Sequence, residues 1–175
     1  MAAETASSGP RAAGSPVVDF ELGGTDGKTY SSREARERGL LLAVFFKVGC
    51  GTCKYSVPFL QRFHEQYAQP SGGKFQIWGI SQDNREDTLA FARENGNATF
   101  PLLLDETLQV SESYGLVGVP DLYLMGADAA IQAAVLGHFG KDGFNELAQK
   151  VAAFLGVPYV PVVREEDDAP ALKPG

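Results

Sequence analysis

Apolar residues in this chain form short runs, separated by longer stretches in which they recur every three or four positions. The runs are rich in branched and aromatic side chains, as strands buried on both faces are. They cover residues 40–46, 75–80, 100–104, 122–125 and 131–136. The stretches around them have the spacing of amphipathic helices that end at Arg38, Ala68, Asn95, Tyr114 and Leu155. This order predicts an α/β fold with a central mixed sheet flanked by helices.

A β-hairpin is predicted ahead of these elements. Residues 17–22 alternate between apolar and polar side chains, which is typical of a half-buried strand. Residues 23–27 are dense in glycine and other turn formers, and residues 28–30 can return as the second strand. We therefore expect an N-terminal β-hairpin as an extension of the fold.

The two ends of the chain differ in composition from the middle. Residues 1–16 are rich in Ala, Ser and Gly and predict a flexible arm, whereas residues 17–157 predict one folded domain. Residues 158–175 hold four prolines and the acidic run 165–168. We predict that this Pro-rich acidic tail is mobile or laid over the surface.

Charge and hydropathy exclude several classes of partner. The chain has 175 residues and a net charge of −7, so nucleic acid and anionic membranes are poor partners. No stretch is apolar enough for long enough to cross a bilayer. Residues 1–16 lack the apolar segment of a secretory signal, which predicts a cytoplasmic location.

The only two cysteines, Cys50 and Cys53, follow the buried run 40–46 at the start of a predicted helix. There, free backbone N–H groups and the helix dipole favour a thiolate on the first cysteine. The second lies one turn away, within reach of a disulfide. Lys47 and Lys54 could tune the thiolate, or could simply be solvated charges. Two structural thiols or half of a zinc site are the other interpretations, but no second cysteine pair exists, so we predict no metal and no cofactor.

The order of elements and several motifs resemble the thioredoxin-fold superfamily, in particular its alkyl hydroperoxide reductase/thiol-specific antioxidant (AhpC/TSA) group. The resemblance covers roughly residues 17–155. Cys-x-x-Cys alone is a weak signal, but a Cys-x-x-Cys after a buried strand, followed later by Val-Pro before another strand, is specific. The matching segments are Val17–Leu22 with Asp26–Thr29, Cys50–Cys53, Pro58, Gly79–Ser81, Phe100–Asp105, Tyr114–Pro120 and Gly137–Gly140.

The resemblance implies a thioredoxin-like three-layer fold and a thiol–disulfide oxidoreductase. Cys50 would attack a disulfide, and Cys53 would resolve the mixed disulfide. Pro120 would be a cis proline that places the Val119 backbone beside Cys50, where it can pair with an extended substrate segment. Together with Gly51 and Thr52, these residues would bind the substrate. The implied partners are a protein or small-molecule disulfide and a thiol electron donor.

The sequence departs from relatives at the buried thiol. Carboxylates that usually serve the second cysteine are replaced by Val44 and Ser56, which leaves a water or Asp121 for the proton. The pair Gly51-Thr52 matches neither reducing nor oxidising relatives, so the direction of reaction stays open.

Two other functions stay open beside the oxidoreductase. A peroxidase would need Pro-x-x-x-Thr-x-x-Cys and a distant arginine. Counting back from Cys50 gives Lys47 and Ala43 instead, and no arginine occurs between Arg93 and Arg164. A binding module that uses the Val119-Pro120 groove with little redox turnover is the second alternative.

Overall fold

A computed structural model describes residues 9–175. The strands of its central sheet are β3 (Leu40–Phe46), β4 (Phe75–Ser81), β5 (Leu102–Leu104), β6 (Asp121–Met125) and β7 (Ile131–Leu136). They lie in the order β5-β4-β3-β6-β7. Strand β3 pairs in parallel with β4, which pairs in parallel with β5, whereas β6 and β7 are antiparallel additions on the other side of β3. The predicted mixed sheet is confirmed.

The predicted hairpin is also present, as β1 (Glu21–Gly23) and β2 (Thr29–Ser31). Its strands are shorter than the alternating pattern suggested, because only residues 21–23 pair with 29–31. Within residues 9–175 the α-helices are α1 (Ser32–Arg38), α2 (Gly51–Phe63), α3 (Arg85–Glu94), α4 (Gln109–Ser113) and α5 (Lys141–Leu155). No helix within residues 9–175 combines the length and the hydropathy needed to cross a membrane.

Strand β3 is the centre of the core, since all seven of its residues are buried. Alternate side chains face opposite sides of the sheet. Phe45 packs with Tyr114 and Tyr123 on one face. Val44 lies on the other face, in a cavity that it shares with Cys53. The continuous apolar run is therefore explained by burial on both faces.

Helix α2 starts directly after the loop that follows β3 and holds Pro58 in its interior. The helical backbone continues past Phe63 as a π-helix over His64–Ala68 and a short 3₁₀ turn over Gln69–Ser71. The predicted end at Ala68 is thus close to where the helical backbone stops, with a change of hydrogen-bonding pattern in the last turns.

The N-terminal segment is more ordered than the predicted flexible arm over its described part. Residues 1–8 lie outside the described residues. From Gly9 onward the chain packs on the fold: the Arg11 amide donates to the Tyr114 carbonyl at 3.0 Å, and the Gly14 amide donates to the Ile131 carbonyl at 2.8 Å. Residues 9–16 therefore make contacts with the fold that a free arm would not make.

The C-terminal tail is laid over the surface, which is one of the two predicted alternatives. Val162 and Val163 are buried, and the acidic run forms a 3₁₀ turn over Glu165–Asp167. The tail ends in strand β9 (Leu172–Pro174), which pairs antiparallel with β8 (His138–Gly140). Neither β8 nor β9 was expected from the sequence.

Candidate functional site

Cys50 is the N-cap of α2, with φ −87° and ψ 114°. The backbone N–H of Cys53 donates to the Cys50 sulfur at 3.1 Å. A side-chain acceptor at this position satisfies one of the free N–H groups of the first helical turn, and a thiolate is a stronger acceptor than a thiol. The first turn of α2 therefore supplies a backbone donor to the Cys50 sulfur.

The loop before β6 brings a second backbone group to the same sulfur. The Val119–Pro120 peptide bond is cis, as predicted. The Cys50 thiol donates to the Val119 carbonyl oxygen at 3.6 Å, so Val119 does lie beside Cys50. Both cysteines are free thiols. The structure thus brings the helix start and the cis-proline loop together around one sulfur.

Cys53 lies deeper than Cys50, with 2% of its surface exposed against 8%. Burial is the main reason that the pKa of the Cys53 thiol is raised well above its usual value, and its contact with Cys50 raises it further. A backbone hydrogen bond at Lys47 and the charge of that residue act in the opposite direction but are smaller effects. Cys53 therefore holds its proton firmly.

A small cavity of about 20 Å³ borders the Cys53 side chain. Ser56 and Val44 line it, as do apolar side chains such as Phe46 and Leu60. The Ser56 hydroxyl is already used, because it donates to the Thr52 carbonyl at 2.8 Å. No lining residue is a carboxylate. The volume suffices for about one water molecule.

Asp121, the candidate proton acceptor from the sequence, lies on the other side of the sheet from the buried thiol. It pairs with Phe45 in the sheet, on the face opposite to Val44 and the Cys53 cavity. Its carboxylate accepts a hydrogen bond from the Gly137 amide at 2.6 Å. Burial raises the pKa of Asp121 to about 6. The strand register therefore separates this acid from the buried thiol.

The remaining predicted site residues differ in how they are placed. Lys47 and Lys54 are both exposed, so a tuning role for either stays a prediction. Gly51 is exposed, and an added Cβ would meet nothing within 4 Å. Thr52 is buried, and its hydroxyl donates to the Pro174 carbonyl in β9.

The contact of Thr52 with β9 is the feature of the site that sequence reasoning missed. The acidic run and the prolines of residues 158–175 predict an exposed tail. The apolar pair Val162-Val163, which is buried, was the local sign that the tail packs on the fold. With the tail in place Cys50 is less exposed than expected for a residue that must meet a partner.

Comparison with known sequences identifies the family of this chain. Residues 13–134 match the model of the AhpC/TSA family. The thiol-disulfide oxidoreductase ResA of Geobacillus thermodenitrificans is 22% identical over 140 residues, which make up 80% of this chain and 78% of that protein.

Solved structures with the same fold carry related descriptions. A proposed protein disulfide isomerase from Bacteroides thetaiotaomicron superposes with a TM-score of 0.76 at 25% identity, over 86% of this chain and 94% of that one. The thioredoxin domain of a thiol-disulfide oxidoreductase from Bacteroides vulgatus superposes with a TM-score of 0.68 at 26% identity, over 81% of this chain and 99% of that one. The predicted thioredoxin-like fold is confirmed.

Proposed function

Because the chain belongs to the AhpC/TSA family, we propose that it is a thiol–disulfide oxidoreductase whose reaction is carried by Cys50 and Cys53. One observation carries the proposal. The Cys50 sulfur lies between the Cys53 amide, at 3.1 Å, and the Val119 carbonyl, at 3.6 Å. The amide favours the thiolate, and the cis-proline loop offers backbone beside it for an extended partner.

The first step is attack of the Cys50 thiolate on one sulfur of a substrate disulfide. A Cys50–substrate disulfide forms, the substrate S–S bond breaks, and the other substrate sulfur leaves as a thiolate that takes a proton from water. Cys53 then loses its proton and attacks the Cys50 sulfur. The Cys50–Cys53 disulfide forms, the second substrate thiolate leaves, and two electrons have passed to the substrate.

A thiol electron donor returns the pair to the dithiol by the same exchange in reverse. Lys47 and Lys54 supply positive charge near the helix start. Gly51 is exposed there and can contact a partner directly, whereas Thr52 can do so only when Pro174 of β9 no longer covers it. No cofactor is needed, because the sulfurs carry the electrons. A cytoplasmic location stays a prediction from the sequence.

The peroxidase alternative has weaker support. Lys47 and Ala43 stand where a peroxidase would need threonine and proline, so the groups that would polarise a peroxide O–O bond are missing. Any thiolate reacts slowly with peroxide, so only rapid peroxide consumption with a thiol donor would favour this function.

The test is reduction of insulin disulfides, together with a measured Cys50–Cys53 redox potential. We expect Cys50→Ser to abolish turnover. We expect Cys53→Ser to accumulate a mixed disulfide at Cys50, detected by mass spectrometry. Normal capture of a partner by a Cys50→Ala, Cys53→Ala protein, with no turnover in the native protein, would instead support the binding module.

A further inference from the structure

Strand β9 ends at the Cys50 site. It runs antiparallel to β8, with Pro174 opposite His138, and the Gly175 amide donates to the Gly137 carbonyl at 2.8 Å. Two contacts reach the site itself. The Thr52 hydroxyl, inside the Cys-x-x-Cys motif, donates to the Pro174 carbonyl.

The second contact is with the cis-proline loop. Gly175 packs so closely on this loop that a Cβ added to it would overlap the Val119 carbonyl oxygen and touch Pro120. That same carbonyl oxygen is 3.6 Å from the Cys50 sulfur. Residues 174–175 therefore touch both elements that surround the reactive sulfur.

We propose that β9 occupies, within the chain itself, the groove through which an extended substrate segment reaches Cys50, so that the tail and the substrate compete for this groove. The inference rests on the proposed function, since it assigns the groove to a disulfide substrate. The backbone pairing of β9 with β8 is the kind of contact that an extended peptide can reproduce. The tail thereby covers Cys50 until a partner displaces it.

The tail is built in two parts that differ in how firmly they are held. The anchor, residues 162–167, is buried at Val162 and Val163, and Arg62 binds Asp167 through two contacts of 2.7 and 3.0 Å. The strap, residues 172–175, has 57% of Leu172 exposed and Pro174 and Gly175 on the surface. Because the strap's own side chains are largely outside the core, its backbone hydrogen bonds can open without withdrawing them from it.

One charge on the strap has a partner in the site helix. The Lys173 ammonium lies 5.6 Å from the centre of the Tyr55 ring in α2. Exposed contacts of this kind are weak. The strap is therefore held by a few polar contacts and the pairing with β8, whereas the anchor keeps it close to the site after it opens.

The test measures Cys50 alkylation by iodoacetamide, located by mass spectrometry, in the reduced chain of residues 1–175 and in a variant lacking residues 172–175. We expect removal of the strap to raise the alkylation rate constant at Cys50 by about tenfold. The reason is that Cys50 reacts only in the fraction of molecules whose groove is open. Gly175→Ala, in the full chain, should raise the rate in the same direction because its Cβ overlaps Val119. It provides an independent test if the shortened chain fails to fold.

Leu172→Ala is the matched control in the same strand, because its side chain is largely exposed and the backbone pairing is kept. Its alkylation rate should stay within about twofold of the native rate. A synthetic peptide of residues 168–175 should lower the alkylation rate of the shortened chain. Equal Cys50 rates in the native chain, the shortened chain and Gly175→Ala would overturn the proposal.

Alkylation separates the strap from the proposed function. If removing the strap speeds alkylation but no variant reduces insulin, the proposal that the strap covers Cys50 is supported and the proposed oxidoreductase activity is overturned. If the chain reduces insulin, and removing the strap changes neither the alkylation rate nor the KM for insulin, the oxidoreductase activity is supported and the covering role of the strap is overturned.

Discussion

Cys53 combines a buried thiol with surroundings that offer no carboxylate to accept its proton. Val44 and Ser56 border the cavity beside it, and the Ser56 hydroxyl is engaged with the Thr52 carbonyl. Burial raises the pKa of Cys53 above its usual value, so the reactive thiolate is scarce at neutral pH. Resolution of the mixed disulfide should therefore be the slow half of the reaction.

The resolution step should speed up with pH throughout the neutral and mildly alkaline range. Below the raised pKa of Cys53, each pH unit increases the thiolate fraction about tenfold. We expect the first-order rate of Cys50–Cys53 disulfide formation, measured by rapid acid quench from a preformed mixed disulfide, to follow this slope from about pH 7 to 9. A plateau below about pH 8 would mean that a nearby group takes the proton.

Ionisation of the buried Asp121 carboxyl should lower the stability of the fold at neutral pH. Its pKa is raised from 3.8 to about 6 because burial disfavours the charged form. Between these values the unfolded chain ionises while the native chain does not, so stability falls as pH rises from about 4 to 6. The penalty is complete above the folded pKa.

Asp121→Asn should remove this pH dependence and raise the free energy of unfolding at pH 7 by up to about 3 kcal/mol. The amide oxygen can still accept from the Gly137 N–H, which now donates to Asp121 at 2.6 Å. Urea unfolding at pH 4 and pH 7 measures the effect, with the exposed Glu146→Gln as a control for loss of one charge. A larger gain at pH 4 than at pH 7 would contradict the explanation.

Some features of the site could be predicted from local sequence, whereas others depend on pairing between distant segments. Cys50 and the cis Val119–Pro120 bond were predictable, because local motifs mark them. The position of Asp121 was not, since which face it occupies depends on its pairing with Phe45 across two strands far apart in the chain.

At the scale of elements, Asn145 is a polar side chain of α5 that binds the tail. Asn145 accepts hydrogen bonds from the Val162 and Val163 amides at 3.0 and 2.9 Å and donates to the Val163 carbonyl at 2.9 Å. Both valines are buried. Loss of the side chain would leave these backbone groups without their present partners.

Asn145→Ala should therefore lower the free energy of unfolding by about 2 to 3 kcal/mol, since buried polar groups that lose their partners are costly. Glu146→Ala, at the exposed neighbouring position of α5, should change it by less than about 0.5 kcal/mol. Thermal and urea unfolding provide the measurement. Equal effects of the two substitutions would show that the tail does not contribute to stability through Asn145.

Most elements of the main domain could be predicted because their signals are local. Strand β3 has the predicted bounds, and α1 begins after Ser31, whose side chain accepts from the Glu34 amide as an N-cap does. Strands β8 and β9 gave no such signal. Each has three residues, and their pairing joins His138–Gly140 to a proline-containing segment more than thirty positions away.

Across the whole molecule, stability is expected to decline from the sheet to the strap. Strand β3 is buried throughout, the anchor is buried at its valines but ends in polar contacts, and β9 is mostly exposed. Local opening costs less where few apolar contacts are lost. A reactive site covered by the strap can react quickly only if the strap opens while the core stays folded.

Native-state hydrogen exchange should show this gradient directly. We expect the Gly175 amide, bonded to the Gly137 carbonyl, to exchange through local opening that is insensitive to low urea concentrations. The Val163 amide, held by Asn145 and buried, should exchange more slowly, and the amides of β3 should exchange only through global unfolding. If the Gly175 amide were protected as strongly as those of β3, the strap would open only when the protein unfolds. It could not then give way to a substrate in the native state.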